Sequence, residues 1–298
     1  MDADRQIVHT PVMVAEVIEH LAPERGGVFI DCTVGLGGHA RALLEAGASR
    51  VIGLDRDPSA LERSRDALAA FSAQVELVHR DYRELPDVLD ARGIGGVDGV
   101  LADLCVSSMQ LDAPGRGFSF RRDDELDMRM DTSQGRTAAD MLAAADEQTL
   151  ADVIYTRGEE RHARRVARAI LAARSEAPIT TTGRLADVVR RAIPRKGYSR
   201  IDPATRTFQA IRIWVNRELD GLDDFLVRGV GRLNPGGRMA VITFHSLEDR
   251  IVKHTFRALQ SEGRVTIRTK RPVTPAAGEV ESNARARSAK LRAVERTN

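Results

Sequence analysis

The sequence predicts a mixed α/β fold: a doubly wound, mostly parallel sheet with one helical segment inserted into it. Three observations lead there. Short apolar runs of β-forming residues alternate with helical patterns over the first hundred residues and again near the C-terminus. Three of the first four strands end in an acid, at the edge where such sheets bind ligands. Between the two α/β stretches, from Thr137 to about Pro194, the pattern is purely helical.

The elements follow in order. After His9-Thr10-Pro11-Val12-Met13, an amphipathic helix over Val14 to Leu21 is closed by Pro23 and Gly26-Gly27. Val28-Phe29-Ile30 is the first buried strand; it ends in Asp31 and gives way to Gly35-Leu36-Gly37-Gly38-His39-Ala40, a G-x-G-x-x-A turn opening a helix. Glycines there permit positive φ and close approach of a ligand to the backbone, and the helix start offers unpaired N–H groups. Val51-Ile52-Gly53-Leu54 is the second strand, ending in Asp55, which lies where a ribose presents two hydroxyls. Asp57, followed by Pro58, fits the cap of the next helix, leaving Asp55 for a ligand.

Val75 to His79 is the third strand, followed by Asp81-Tyr82, an acid beside an aromatic suited to an adenine ring and its amino group. Val97 to Asp103 is the fourth. Leu104 to Asp112 and Gly115-Arg116-Gly117-Phe118-Ser119-Phe120 then read as loop with exposed aromatics. Thr137, Asp146 and Thr181 or Thr182 mark helix starts in the inserted segment. The α/β pattern resumes near Thr207 with a long helix whose apolar stripe runs Phe208, Ile211, Val215, Leu219 and Leu222. Asn234-Pro235-Gly236-Gly237 turns into a fifth strand over Arg238 to Phe244, and Ser246 is the expected cap of the helix after it. Val265 to Arg268 and Leu291 to Val294 are expected to form an antiparallel pair at the sheet edge.

Composition narrows the function. The chain has 30% charged residues and no run of about 18 apolar ones that could span a bilayer as a helix; with no charged-then-apolar leader pattern, the expected address is cytoplasmic. Two cysteines, Cys32 and Cys105, make neither a disulfide framework nor a zinc site. Net charge is only +2, but Arg157 to Arg200 holds twelve Lys/Arg against four Asp/Glu, and Arg264 onward nine against three. Two basic segments on a nearly neutral chain suggest a polyanion partner. Acids gathered at strand tips would repel a pyrophosphate but suit a cationic ligand such as the sulfonium of S-adenosylmethionine.

With these residues in view, the sequence resembles the RsmH (MraW) family of ribosomal RNA methyltransferases. The resemblance runs in order from His9 to about Arg292. Its pieces are His9 to Met13, Asp31 to His39, Asp103 to Ser108, Gly117 to Phe120, Leu126 to Asp131, Ala204 to Ala210, Phe244 to Lys253 and Ala286 to Arg292. It implies a Rossmann-like class I methyltransferase sheet (residues 1–111 and 206–298) carrying an inserted, mostly helical RNA-recognition domain (112–205). It implies methyl transfer from S-adenosyl-L-methionine to N4 of a cytidine near the decoding centre of 16S rRNA. The cofactor residues carried over are Gly37, Gly38, His39, Asp55, Tyr82, Asp103 and Gln110; the chemistry of an amine acceptor makes Asp103 the expected catalytic residue, and no metal is expected. The partner is 16S rRNA or the small ribosomal subunit; monomer and homodimer both remain open.

Cys105, Asp124-Glu125 and Asp202 depart from the family pattern, which commonly has Gly, Gly-Pro and His there. Asp103 and the carbonyl of Leu104 are the expected acceptors for the target amine, and Phe118, Phe120 or Tyr198 the expected stacking partners of the base. Two rivals share some of these features. An NAD-dependent dehydrogenase uses the same glycine turn, and a non-catalytic RNA-binding protein needs only the basic segments.

Overall fold

Successive residues of the central strands are buried to opposite sides, which requires helices on both faces of the sheet. The computed structural model describes residues 11–105, 114–194 and 201–297. Its contacts divide the chain into two compact units, Met1–Cys105 with Gly221–Asn298, and Val106–Asp220.

The first unit holds β1 (Val28–Asp31), β2 (Arg50–Asp55), β3 (Val75–His79), β4 (Val97–Asp103), β5 (Leu233–Thr243), β6 (Val265–Ile267) and β7 (Lys290–Arg296). They form one sheet in the order β3-β2-β1-β4-β5-β7-β6. Strands β1 to β5 pair in parallel, and β7 is antiparallel to both β5 and β6. The edge pair is therefore as the sequence predicts. On one face Phe29, Val51 and Leu101 pack with α1 (Val14–Leu21), α2 (Gly38–Glu45) and α3 (Pro58–Ala67) through Val17, Leu43 and Leu61. On the other, Ile30, Ile52 and Val100 share a core with Leu89 of α4 (Leu85–Asp90), Phe225 of α10 (Leu222–Gly231) and Phe256 of α11 (Ser246–Ser261). Each such side chain, fully buried, contributes roughly 1.5–3 kcal/mol. A short α12 (Ala277–Ser282) precedes β7.

Two local readings differ from the sequence. β5 begins at Leu233, so the Asn-Pro-Gly-Gly stretch is a bulge within the strand, where the register jumps between Val97 and Gly99 of its neighbour. The cap of α11 is His245, whose ring accepts from the Glu248 N–H while the Glu248 carboxylate accepts from the His245 N–H. Ser246 has the commoner capping side chain, but the reciprocal bond with Glu248 selects the residue before it.

The second unit holds α5 (Ala138–Ala144), α6 (Glu147–Gly158), α7 (Ala163–Glu176), α8 (Thr182–Ala192) and α9 (Ala204–Asn216) around one apolar core. Thr137, Asp146 and Thr181 cap α5, α6 and α8. Thr182 is instead buried, its hydroxyl donating to the Arg122 carbonyl and accepting from the Asp124 N–H. α6 ends on Gly158, where a Cβ would stand 2.5 Å from the Arg206 carbonyl of α9, so only glycine allows that approach. The compact unit runs to Asp220 rather than ending at 205: Phe208 and Ile211 face the helical core. An apolar stripe at helical spacing says that a helix is buried, not which core receives it.

The aromatics read as exposed are packed. Phe118 lies against Met130, and Phe120 meets Phe208 edge-on with ring centroids 4.7 Å apart and the Arg190 guanidinium 5.5 Å from its centre. Phe118 is buried and Phe120 half-buried; Tyr198 lies outside the described residues. The backbone beside Phe118 is pinned by Asn216, which accepts from Met130 N–H and donates to the Met128 carbonyl, both at 2.7 Å. Asp202 accepts from Arg190 at 2.9 Å and from the Ala204 N–H at 2.8 Å, tying α8 to the start of α9.

Candidate active site

The order β2-β1-β4 contains the switch point of the first unit, because the chain leaves β1 towards β2 and β3 on one side and β4 and β5 on the other. Register then decides what stands there. Asp31 is level with Gly53 and Leu101, so Asp55 and Asp103 each project one pleat further along the strands flanking it. Three carboxylates thus rim one crevice.

Each has a different anchorage. Asp31 is fully buried; one oxygen accepts from the Thr33 N–H at 3.2 Å and the other, Oδ2, has no protein partner. Burial first, then the neighbouring Asp103 and Asp55 charges, push its pKa up to about 6, against the opposing pull of His39. Asp55 accepts from Gly35 N–H at 2.9 Å through one oxygen and from Asp57 N–H at 2.8 Å through the other. The expectation that Asp57, not Asp55, caps α3 holds, since Asp57 accepts from the Ser59 N–H. Asp55 is nevertheless not idle: it clasps the glycine turn, and each oxygen keeps a second lone pair for a ligand. Asp103 accepts from Cys105 N–H at 3.1 Å, and its own N–H donates to the Thr33 hydroxyl at 2.7 Å. Burial raises the pKa of Asp55 and of Asp103 too; for Asp103 the Glu248 charge adds to the rise and His39 opposes it.

The turn between β1 and α2 is held from inside. Val34 N–H donates to the Leu54 carbonyl and Gly37 N–H to the Val34 carbonyl, at 2.8 and 2.7 Å. Gly37 has φ +81°, and a Cβ there would lie 2.9 Å from Leu68. His39, in the first turn of α2, is buried; its Nε2–H donates to the Val12 carbonyl at 2.8 Å, leaving Nδ1 3.8 Å from Asp103 Oδ2. Gly37, Gly38, His39, Asp55 and Asp103 therefore gather at one end of β1, β2 and β4.

Tyr82 stands at the far side, past the tip of β3. Its ring is mostly buried, edge-on to Phe225 at 4.7 Å with the Arg83 guanidinium 5.5 Å from its centre. Asp81, the expected partner of an adenine amino group, has both oxygens held by Arg83 at 2.6–2.7 Å and caps the turn that carries Tyr82. Gln110 lies outside the described residues. Cys32 is buried and Cys105 half-buried, and no disulfide joins them.

Two contributors are missed by sequence reasoning. Thr33 joins the tips of β1 and β4 through its hydroxyl, and an acid followed two residues later by threonine, the pattern of an Asx-turn, is the available signal. Glu248, 2% exposed, carries its charge close enough to act on Asp103, and only the tertiary fold brings α11 there.

The chain matches the MraW methylase family over residues 6–297. It is 51% identical to the ribosomal RNA small subunit methyltransferase H of Deinococcus radiodurans, covering 97% of this chain and 89% of that protein. It is 49% identical to the protein of the same name from Bradyrhizobium diazoefficiens, covering 97% and 92%. Among solved structures, an rRNA methylase from Streptococcus thermophilus aligns with 94% of this chain and 95% of its own, at 11% identity and a TM-score of 0.41. A match from residue 6 to residue 297, with half of all positions shared with curated members, leaves one conclusion: this chain belongs to the MraW methylase family.

Proposed function

We propose that this protein transfers a methyl group from S-adenosyl-L-methionine to the exocyclic N4 of a cytidine in 16S rRNA, near the decoding centre of the small ribosomal subunit. The observation that carries the cofactor half is the crevice of three carboxylates, Asp31 buried and Asp55 and Asp103 half-buried. Burial disfavours their charge, and a cationic ligand would restore it; Asp31 Oδ2 in particular is a buried acceptor without a protein partner. A pyrophosphate would meet repulsion there, which disfavours a dinucleotide. Relatives named as small-subunit rRNA methyltransferases, together with the basic helical segment, support RNA as the acceptor.

In this reading Gly37, Gly38 and His39 offer the open backbone of the α2 start, Asp55 receives the ribose hydroxyls, Tyr82 and Gln110 bound the remainder of the ligand, and Asp103 stands between cofactor and target. When bound, the cofactor supplies an electrophilic methyl on a sulfonium. The protein's work is positioning and exclusion of water. An exocyclic amine is a weak nucleophile because its lone pair is delocalised into the ring. Asp103 accepts one amine hydrogen and the Leu104 carbonyl the other, turning the lone pair out of the ring plane. As the new bond forms the nitrogen must shed a proton, and a carboxylate made more basic by burial is the better acceptor for it.

The test is incubation with labelled S-adenosylmethionine and small ribosomal subunits lacking the modification, followed by nucleoside analysis. Label in N4-methylcytidine is expected; label in another nucleoside, or none, overturns the reading. A fluorescence titration in which NADH binds and S-adenosylmethionine does not would favour the dehydrogenase instead.

Asp55→Ala removes the acceptor for both ribose hydroxyls and frees the Gly35 N–H. Losing hydrogen bonds to a charged group costs roughly 1.5–3 kcal/mol, so cofactor affinity should fall at least about tenfold. Calorimetry giving unchanged affinity in a folded variant would remove Asp55 from the site.

A further inference from the structure

The second unit has a concavity of about 540 Å³ between α6 and α7 that no step of the methyl transfer uses. Tyr155, Arg161, His162, Arg164, Arg165 and Arg168 line it. Residues 164, 165 and 168 follow i, i+1, i+4 spacing on α7, and Arg161 continues the row one turn earlier. The opposite face of α7, with Val166, Ala167 and Ile170, is buried in the helical core, so the arginines are held outward by packing.

Two features set this row apart from an ordinary solvated face. Several other arginines of the same unit are neutralised: Arg129 by Asp127, Arg190 by Asp202, Arg212 by Glu218, each within 3 Å. Arg161, Arg164 and Arg165 have no acidic partner among the described residues, and Arg168 reaches Glu147 only at 3.9 Å with both side chains exposed. The one acid on the rim, Asp152, is bonded to Gln148. The second feature is Tyr155. At 63% exposure it is one of two large hydrophobic side chains left open among the described residues, and it stands at the arginine row. Nothing in the unit's own packing explains an open aromatic ring there.

A row of unneutralised guanidinium groups beside an open aromatic ring matches a phosphate backbone whose bases are free to stack. We propose that this groove binds a single-stranded stretch of the RNA substrate, with an unpaired base on Tyr155 and successive phosphates on Arg161, Arg164, Arg165 and Arg168. The inference rests on RNA being the acceptor and adds where the unit grips it and in what form. A duplex keeps its base faces stacked internally and cannot use Tyr155, so strandedness is the discriminating property.

The experiment uses the full chain and a labelled oligoribonucleotide of mixed sequence, single-stranded or annealed to its complement, at several salt concentrations. The parent should prefer the single strand. Tyr155→Ala should weaken single-strand binding about tenfold with Tyr155→Phe near the parent, since a stacked base is worth roughly 1–3 kcal/mol. Arg164→Gln, Arg165→Gln and Arg168→Gln together should reduce the slope of log affinity against log salt by about two, at about 0.7 per phosphate contact on a single strand. S-adenosylmethionine affinity and thermal midpoint should stay unchanged, showing that the variants fold. If the parent binds RNA but neither affinity nor slope moves in the variants, the groove is not the grip, while RNA as acceptor stands. If the arginine variants lose single strand and duplex alike and Tyr155→Ala is silent, the base-stacking proposal is overturned. A parent that binds no RNA overturns the acceptor reading itself.

Discussion

Asp103→Asn is expected to lower the single-turnover rate at saturating S-adenosylmethionine by roughly a hundredfold, the low end of positioned acid–base effects, while cofactor affinity stays within a few-fold. The substitution keeps the size of the side chain and one acceptor oxygen, so the bond from Cys105 N–H can persist. The Asp103 N–H still donates to Thr33, so the strand tip keeps its place. What is lost is the charge and the capacity to take a proton from the amine. Rapid-quench measurement at saturating cofactor separates the possibilities. A variant whose saturated rate matches the parent would make Asp103 a cofactor ligand only; one that loses affinity and recovers its rate at high cofactor would place its work at the methionine end.

Asp31→Asn should make the ligand-free protein more stable at neutral pH, by up to about 3 kcal/mol. Proton linkage sets the sign. In the unfolded chain this carboxyl ionises near 3.8, whereas in the fold it keeps its proton until about pH 6. Between those values the native state binds more protons than the unfolded one, so stability falls as pH rises through that window and stays low above it. Every tenfold difference in proton affinity between the folded and unfolded chains corresponds to about 1.4 kcal/mol. The amide does not titrate, so the variant should lack this fall, and the curves of melting temperature against pH should converge near pH 4 and separate by pH 7. Parallel curves would mean that Asp31 is not ionising in a buried setting. A natural carboxylate that destabilises its own fold is expected where the charge serves a ligand.

Much of this fold is written in local chemistry. Asp57-Pro58 can be assigned to the α3 cap without coordinates, because a capping acid followed by proline has one good use; the strand-ending acids can be read because each apolar run stops at them. Phe118 and Phe120 could not be read. Glycines and serines around them signal a loop, but loop aromatics pack wherever a neighbour such as Phe208 arrives from far along the chain. The same limit hides Glu248, whose effect on Asp103 exists only once α11 is placed. Asp55 shows an intermediate case: its position is legible, but its bond to Gly35 N–H joins two loops whose approach is set by strand register. The basic segment is legible as charge, whereas the neutralised and unneutralised arginines within it are told apart only by distance.

The pairing of β4 with β5 has a kinetic consequence. These two strands sit side by side near the middle of the sheet, yet all of Val106–Asp220 is threaded between them. Closing an unstructured loop costs entropy that grows by roughly 0.6 kcal/mol for each doubling of its length, before any contact between its ends repays it. The intervening helices make mainly local contacts, which form quickly. Folding them first shortens the effective loop and lets the fifth strand find the fourth. The helical unit is therefore expected to fold ahead of the β4–β5 pairing. Damage to its core, as by Leu150 or Val166 truncation, should surface as slow assembly of the carboxylate-lined crevice, in residues far from the change along the chain.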